Sequence, residues 1–420
     1  MSRREFHFIS GASSKFWAIE MKGDSFDVTY GKIGTQGTTQ TKSFDDAAAF
    51  KKAYDKLVLE KTSKGYVEID GGASSTKAEV KSAGNAKKAD GVASSTGLSE
   101  LYFSTTQNVS DIGNLKTFVG QKIADYKSKK SIKKGNYVYK ISVSYEDEDD
   151  EGEGSGDFNQ RLVGYLDSDA ATAAQGLVIG NWSLEGPESC KPIVDTLISK
   201  KDRLPSLSAL FFGEIGQEEN EISWIENCDM TPLLTAFPKL ELFRVRGATN
   251  LEFIKAKHKT LRALGVESGG LAREVVAQIC KADFPNLEYL ELWLGTDSYG
   301  GTTQVSDLTP IMKGTAFPKL KYLGLRNSEI TDDIAGVIIN SPIIRQLETL
   351  DLSLGTLSDE GAKALMKLPQ DAKLKRLDLH RHFLSTAMMK QLKTLPFSLN
   401  LSEQETADDD EGGRFVAVSE

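Results

Sequence analysis

The fold is decided by Pro285-Asn-Leu-Glu-Tyr-Leu-Glu-Leu-Trp293, which returns almost unchanged as Pro318-Lys-Leu-Lys-Tyr-Leu-Gly-Leu-Arg326. Five further segments share its L-x-x-L-x-L spacing, so the first apolar positions are Leu207, Leu240, Leu261, Leu287, Leu320, Leu347 and Leu374, 21 to 33 residues apart. Within each segment apolar and other residues alternate, which is the period of a short strand. No segment is large enough to bury its own apolar face, so neighbouring copies must bury it for one another. A repeat of this length is the signature of stacked units.

The segments resemble leucine-rich repeats from Pro205 to Leu401. The resemblance implies an α/β solenoid, a horseshoe with a parallel sheet on its concave face and helices between strands. Ser358 is placed as the N-cap of one such helix, Leu357–Leu368. Asp229-Met-Thr-Pro and Asp307-Leu-Thr-Pro recur before the copies at Leu240 and Leu320. There Thr231 and Thr309 are expected as N-caps ahead of a proline at the first helical position. Together with L-x-x-L-F-x-G and L-V-I-G-N-W, these loops are similar to one bacterial family of leucine-rich-repeat proteins. That likeness implies a fold and no activity.

If the pattern leucines face the core, the residues between them line the hollow. This predicts a protein-binding surface from Arg244, Arg246, Tyr289, Glu291, Trp293, Tyr322, Arg326, Asp351, Arg376 and His380. Aromatic rings beside arginines are the usual material of binding hot spots. The plainer alternative is that they satisfy one another as cross-strand pairs. Catalytic chemistry has little to stand on. His380 and His382 lack a third metal ligand, and Asp351 and Asp378 are a carboxylate pair beside Arg376. The sequence points to no catalytic residue, metal or cofactor.

The first 70 residues are of another kind. Strands are expected at 15–20 and 26–30, joined by Lys22-Gly-Asp-Ser, with a third near 38–44 and one helix from Ser43 to Lys64. Lys15-Phe-Trp, Val28-Thr-Tyr-Gly-Lys-Ile-Gly-Thr-Gln-Gly37, Lys42-Ser-Phe and Glu60-Lys-Thr-Ser-Lys-Gly-Tyr66 resemble a WGR domain, a small α+β module. In that family the aromatic and basic residues of a Trp-Gly-Arg motif meet nucleic acid, often at a strand end. Here the motif reads Tyr30-Gly31-Lys32, so the resemblance implies nucleic-acid contact through Tyr30, Gly31, Lys32 and Lys42. The lysine keeps the charge but not the planar bidentate fork of arginine.

Charge is unevenly spread. Residues 1–70 sum to +1 and residues 71–145 to +7, which against the whole-chain −9 leaves −17 on residues 146–420. Two different partners, or contact between the halves, would follow. Residues 71–97 read as a flexible linker and 98–176 as an N-terminal cap for the repeats, with an acidic disordered loop at 146–157. Residues 177–402 are the repeat array, and 403–420 an acidic disordered tail. Three cysteines without zinc spacing, and no apolar run of membrane length, suggest an intracellular protein, cytoplasmic, or nuclear in a eukaryote. The reading is a non-enzymatic adaptor that binds nucleic acid at one end and a protein at the other. The alternative is a scaffold that binds proteins only. Oligomeric state is not legible.

Overall fold

The computed structural model describes residues 3–43 except 11, 12, 24 and 35–37, scattered positions between 50 and 69, and residues 112–419 except 145–156, 185, 186, 218, 370, 371 and 408–412. The expected linker and nearly all of the acidic loop lie outside the described residues. The chain divides into two compact units, Met1–Thr96 and Gly97–Glu420.

The first unit is a five-stranded antiparallel sheet. Its strands are β1 (Arg4–Ser10), β2 (Ser13–Lys22), β3 (Ser25–Lys32), β4 (Thr38–Ser43) and β5 (Val67–Ile69), in the order β4-β3-β2-β1-β5. The two outermost chain segments, β1 and β5, were not expected. They pair with each other, Glu5 opposite Ile69. Helical turns between 50 and 62 lie against one face, where Phe26 meets Phe50 and Tyr54 at ring separations of 5.8 and 6.0 Å. Gly34 takes φ +93° in the turn after β3, a conformation that β-carbon sterics make unfavourable for other residues.

The second unit is a twelve-stranded sheet with strands in strict chain order. They are β6 (Thr117–Phe118), β7 (Gln121–Tyr126), β8 (Tyr137–Ile141), β9 (Gly176–Ile179), β10 (Ala209–Phe212), β11 (Leu242–Arg246), β12 (Ala263–Glu267), β13 (Tyr289–Gly295), β14 (Tyr322–Ser328), β15 (Thr349–Asp351), β16 (Arg376–Asp378) and β17 (Ser398–Asn400). Only the β6–β7 pair is antiparallel. The repeat segments therefore lie side by side, and in register: Leu177, Leu210, Phe243, Leu264, Leu290, Leu323, Leu350, Leu377 and Leu399 form one continuous row. All but Leu399 are fully buried. Each such side chain contributes roughly 2 kcal/mol of hydrophobic stabilisation relative to exposure.

Between strands the chain forms short helices that cover the other side of this row, among them Lys191–Ser199, Arg273–Lys281, Thr331–Ile338, Asp359–Leu365 and Thr386–Leu392. Ser358 caps its helix as expected, its side chain accepting from the Glu360 N–H. Asp332 ties this cap to the preceding repeat through the Ser358 N–H and hydroxyl at 2.8 and 2.6 Å. Asp359 does the same for Ser385 one repeat later, at 2.8 and 2.7 Å. The Thr-Pro loops differ from expectation by one residue. Thr231 is itself the first helical residue, and its N–H donates to Asp229 Oδ1 at 3.0 Å, so the aspartate does the capping.

In the region read as an N-terminal cap the sheet extends to Thr117, because β7 and β8 join β9 in the same parallel ladder. One boundary differs. Residues Gly413–Ser419, expected within a disordered tail, are packed on the second unit, with Val416, Val418 and Ser419 buried.

Candidate functional site

In the first unit, Tyr30 and Trp17 are direct partners across the β2–β3 ladder, Gly31 faces Phe16, and Lys32 faces Lys15. Trp17 is 1 % exposed and Tyr30 only 9 %. The expected stacking ring is thus largely part of the core, which corrects the role assigned to Tyr30. Phe6 packs on Trp17 with ring centroids 5.5 Å apart. Lys61, on the helical segment, is fully buried. Its Nζ lies 5.6 Å from the Trp17 ring and 4.9 Å from the Tyr66 ring, within cation–π distance of both. Nothing in the helical period distinguishes Lys61 from its surface neighbours. The aromatic residues that surround it come from β2 and from the segment after the helix.

Several described cations of this unit hold carboxylates of the same unit. Arg4 binds Glu68 bidentately at 2.7 and 2.8 Å, Arg3 binds Glu5 at 3.1 Å, and Lys22 binds Asp27 at 2.5 Å. The Lys22 hydrogen bond, with Thr41, holds the Asp27 carboxyl below its usual range. Lys32 and Lys42 stand at backbone positions near the end of β3 and on the edge strand β4, the latter opposite Phe26. Their side chains lie outside the described residues.

In the second unit, the columns predicted to line an open hollow are brought together but are not open. Arg244, Arg246, Tyr289, Glu291, Trp293, Tyr322, Arg326, Asp351 and His380 are all buried, whereas Arg376 keeps an exposed side chain. From Arg246 to Asp351 they form a polar network across the sheet, with a second group around Asp378 beside it. Glu291 receives Arg244 at 3.2 Å, Arg326 at 3.0 Å, Trp293 Nε1 at 2.7 Å and the Tyr289 hydroxyl. Glu267 bridges Arg244 and Arg246, the latter at 2.7 Å. The Tyr289 and Tyr322 rings stack at 4.1 Å with 9° between planes, and Tyr322 donates to Asp351 at 2.7 Å. Arg326 lies over Trp293 at 5.4 Å, donates to Ser353 at 2.8 Å and stands 3.4 Å from Asp351. At the far end Asp378 holds Arg376 at 2.6 Å and His380 Nδ1 at 2.7 Å. Lys140 and Glu214 form a further buried pair on the other flank.

Burial alone would push the Glu291 carboxyl up, but Arg244 and Arg326 outweigh it and hold it at about 2. Asp351 goes the other way: burial raises it, the charge of Asp378 adds to this, and Arg326 only partly compensates. The Glu291 carboxylate thus fits the rule that buried charges survive when paired and hydrogen-bonded. The cross-strand alternative therefore describes these residues better than an open hot spot does. Among the described residues no cluster of three or more His, Cys, Asp or Glu is placed to hold a metal ion. Cys190 and Cys228, distant in sequence, meet with sulfurs 3.4 Å apart.

Comparison with known proteins follows these two units. Residues 2–73 match the family described as WGR domain. The N-terminal unit is a WGR domain. Two Escherichia coli proteins are similar over it: Protein YehF, 49 % identical over 65 residues, and the uncharacterized protein YfeS, 42 % identical over 66. Each match covers 16 % of this chain and 24 or 27 % of the relative, so the chain spans about a quarter of those relatives' length. A Bacteroides fragilis protein of known crystal structure is similar throughout. It is 31 % identical, with a TM-score of 0.60 over 96 % of this chain and 97 % of its own. The chain belongs to one family with that protein. No helix of the described residues is long and apolar enough to cross a membrane.

Proposed function

We propose that this protein is a non-enzymatic adaptor whose WGR domain binds nucleic acid and whose second unit, a leucine-rich-repeat platform of horseshoe type, carries a protein partner. The observation that carries the first half is the match of residues 2–73 to the WGR family, with Tyr30-Gly31-Lys32 at the end of β3. Arg3, Arg4 and Lys22 already hold Glu5, Glu68 and Asp27, and we assign phosphate contact to Lys32 of the motif and to Lys42. With Tyr30 nearly buried, the contact is one of charge and backbone more than of stacking. The platform reading is supported by the leucine row and by the regular 27-residue ties from Asp332 and Asp359. The absence of catalysis is supported by the carboxylates of the network, since Glu267, Glu291, Asp351 and Asp378 are each already engaged by an arginine, a tyrosine or a histidine.

Filter binding of labelled duplex and single-stranded DNA and RNA to the intact chain at rising salt tests the proposal. Retention at low salt that falls steeply, and is lost in Lys32→Ala/Lys42→Ala, is the expected result. The internal neutralisation of the described cations favours a second reading, a scaffold for proteins only. No retention of any nucleic acid at low salt would establish that one in its place.

A further inference from the structure

Gly413–Ser419 lies along the rim formed by residues at or just past the carboxyl ends of β12, β14, β15 and β16. Its contacts are of one kind. The Asn327 side-chain amide clasps the Val418 backbone from both sides, accepting its N–H at 2.9 Å and donating to its carbonyl. The Leu354 carbonyl accepts the Ala417 N–H at 2.8 Å, and Arg381 donates to the Phe415 carbonyl at 3.0 Å. Asn327, Leu354 and Arg381 are 27 residues apart and so occupy one repeat position. All three adopt positive φ, of 50°, 65° and 55°. Three consecutive repeats thus hold a conformation that side chains rarely take where the segment's main chain is read, the usual correlate of a binding feature.

Side chains supply a pattern. Val416 and Val418 are buried, 3 and 7 % exposed, while Phe415 and Ala417, on either side of Val416, are half-buried. Arg414 anchors the start, donating to Asp332 at 2.8 Å and to the Thr356 carbonyl at 2.7 Å. Main-chain hydrogen bonds with alternate side chains in pockets are how grooves take extended peptides. The place also fits, since ligands of parallel sheets collect at the carboxyl ends of strands. Gly269 closes the far end. A β-carbon there would stand 2.1 Å from the Ser419 carbonyl oxygen, and the three atoms nearest to it all belong to Ser419.

We propose that this rim is a receptor for a short peptide of the pattern Arg-x-Val-x-Val-Ser, bent at its fourth residue as Ala417 is, and occupied in cis by the chain's own segment 413–419. A partner carrying such a segment would bind by displacing it. This inference does not depend on the nucleic-acid reading.

The test is fluorescence anisotropy with a fluorescein-labelled peptide of residues 413–420. It is added to the intact chain and to a variant lacking residues 413–420. The variant is expected to bind saturably, and the intact chain at least about 100-fold more weakly, because a tethered competitor acts at roughly millimolar effective concentration. In the shortened background Asn327→Ala should weaken binding at least 10-fold. Gly269→Ala should do so for the full peptide but not for one ending at Val418. A folded variant that ignores the peptide, or binds a scrambled one equally, overturns the proposal. Should the shortened chain fail to fold, Gly269→Ala in the intact chain decides. Limited proteolysis should then cut at 413–419 several-fold faster with the sheet still protected, and an unchanged rate of cutting overturns the proposal.

Discussion

Glu291 sits between two arginines, a tryptophan and a tyrosine with almost no access to water, and its energetic weight follows from that position. Removing one member of a buried ionic cluster leaves the others desolvated and unpaired, which costs about 3–5 kcal/mol. Glu291→Ala is therefore expected to lower the unfolding free energy by that much at neutral pH, seen as a lower urea midpoint with an unchanged denaturant slope. The acid response has a defined sign. The folded carboxyl is held at about 2, below the roughly 4.3 of an unfolded chain, so its contribution is complete above 4.3 and lost as pH falls towards 2. Asp351 is raised in the folded state and works against this, since its protonation favours folding as pH falls. Urea midpoints between pH 7 and pH 3 should fall in the wild type, and fall more steeply in Asp351→Asn. A flat profile in both would show that the network does not govern acid stability.

At the scale of elements, the leucine row couples each strand mainly to its two neighbours. Leu350→Ala is expected to cost about 2–5 kcal/mol, as large-to-small changes in packed cores do. In a linear array the loss should appear first as faster amide exchange in β14–β16, with β9–β11 retaining protection. Uniform loss across all twelve strands would argue for one indivisible core. The row was legible beforehand because Leu290, Leu323, Leu350 and Leu377 follow one spacing and β-pairing simply reproduces it. The burial of the columns between them was not. An alternating pattern gives the face of Tyr289 or Arg326, but solvent access depends on how the faces of nine or more strands close around one another. Lys61 was illegible for a similar reason, since its aromatic surroundings come from distant segments. The WGR domain shows the same division. Tyr30→Ala, at a nearly buried ring, should cost about 3–5 kcal/mol and melt that unit. Lys32→Ala should leave its melting temperature within a degree or two, as differential scanning calorimetry of the intact chain would show.

For the whole molecule, the division of charge sets the terms on which nucleic acid is met. The first 145 residues sum to +8, and against −9 for the whole chain the remainder carries −17. A polyanion is attracted to one part and repelled by the larger part, so affinity depends on a few local contacts and not on overall charge. Each phosphate neutralised on duplex DNA contributes about 0.9 to the slope of log affinity against log salt. With Lys32 and Lys42 as the principal contacts, the intact chain should show a slope of about −2, and the double alanine variant a slope near zero. A slope of −5 or steeper that survives the double substitution would move the interface elsewhere, and the cluster Lys127, Lys129, Lys130, Lys133 and Lys134 is where the next substitutions belong. Those lysines lie between β7 and β8, on the acidic unit itself, so loss of the slope on their substitution would mean that the long sheet and not the WGR domain holds the nucleic acid.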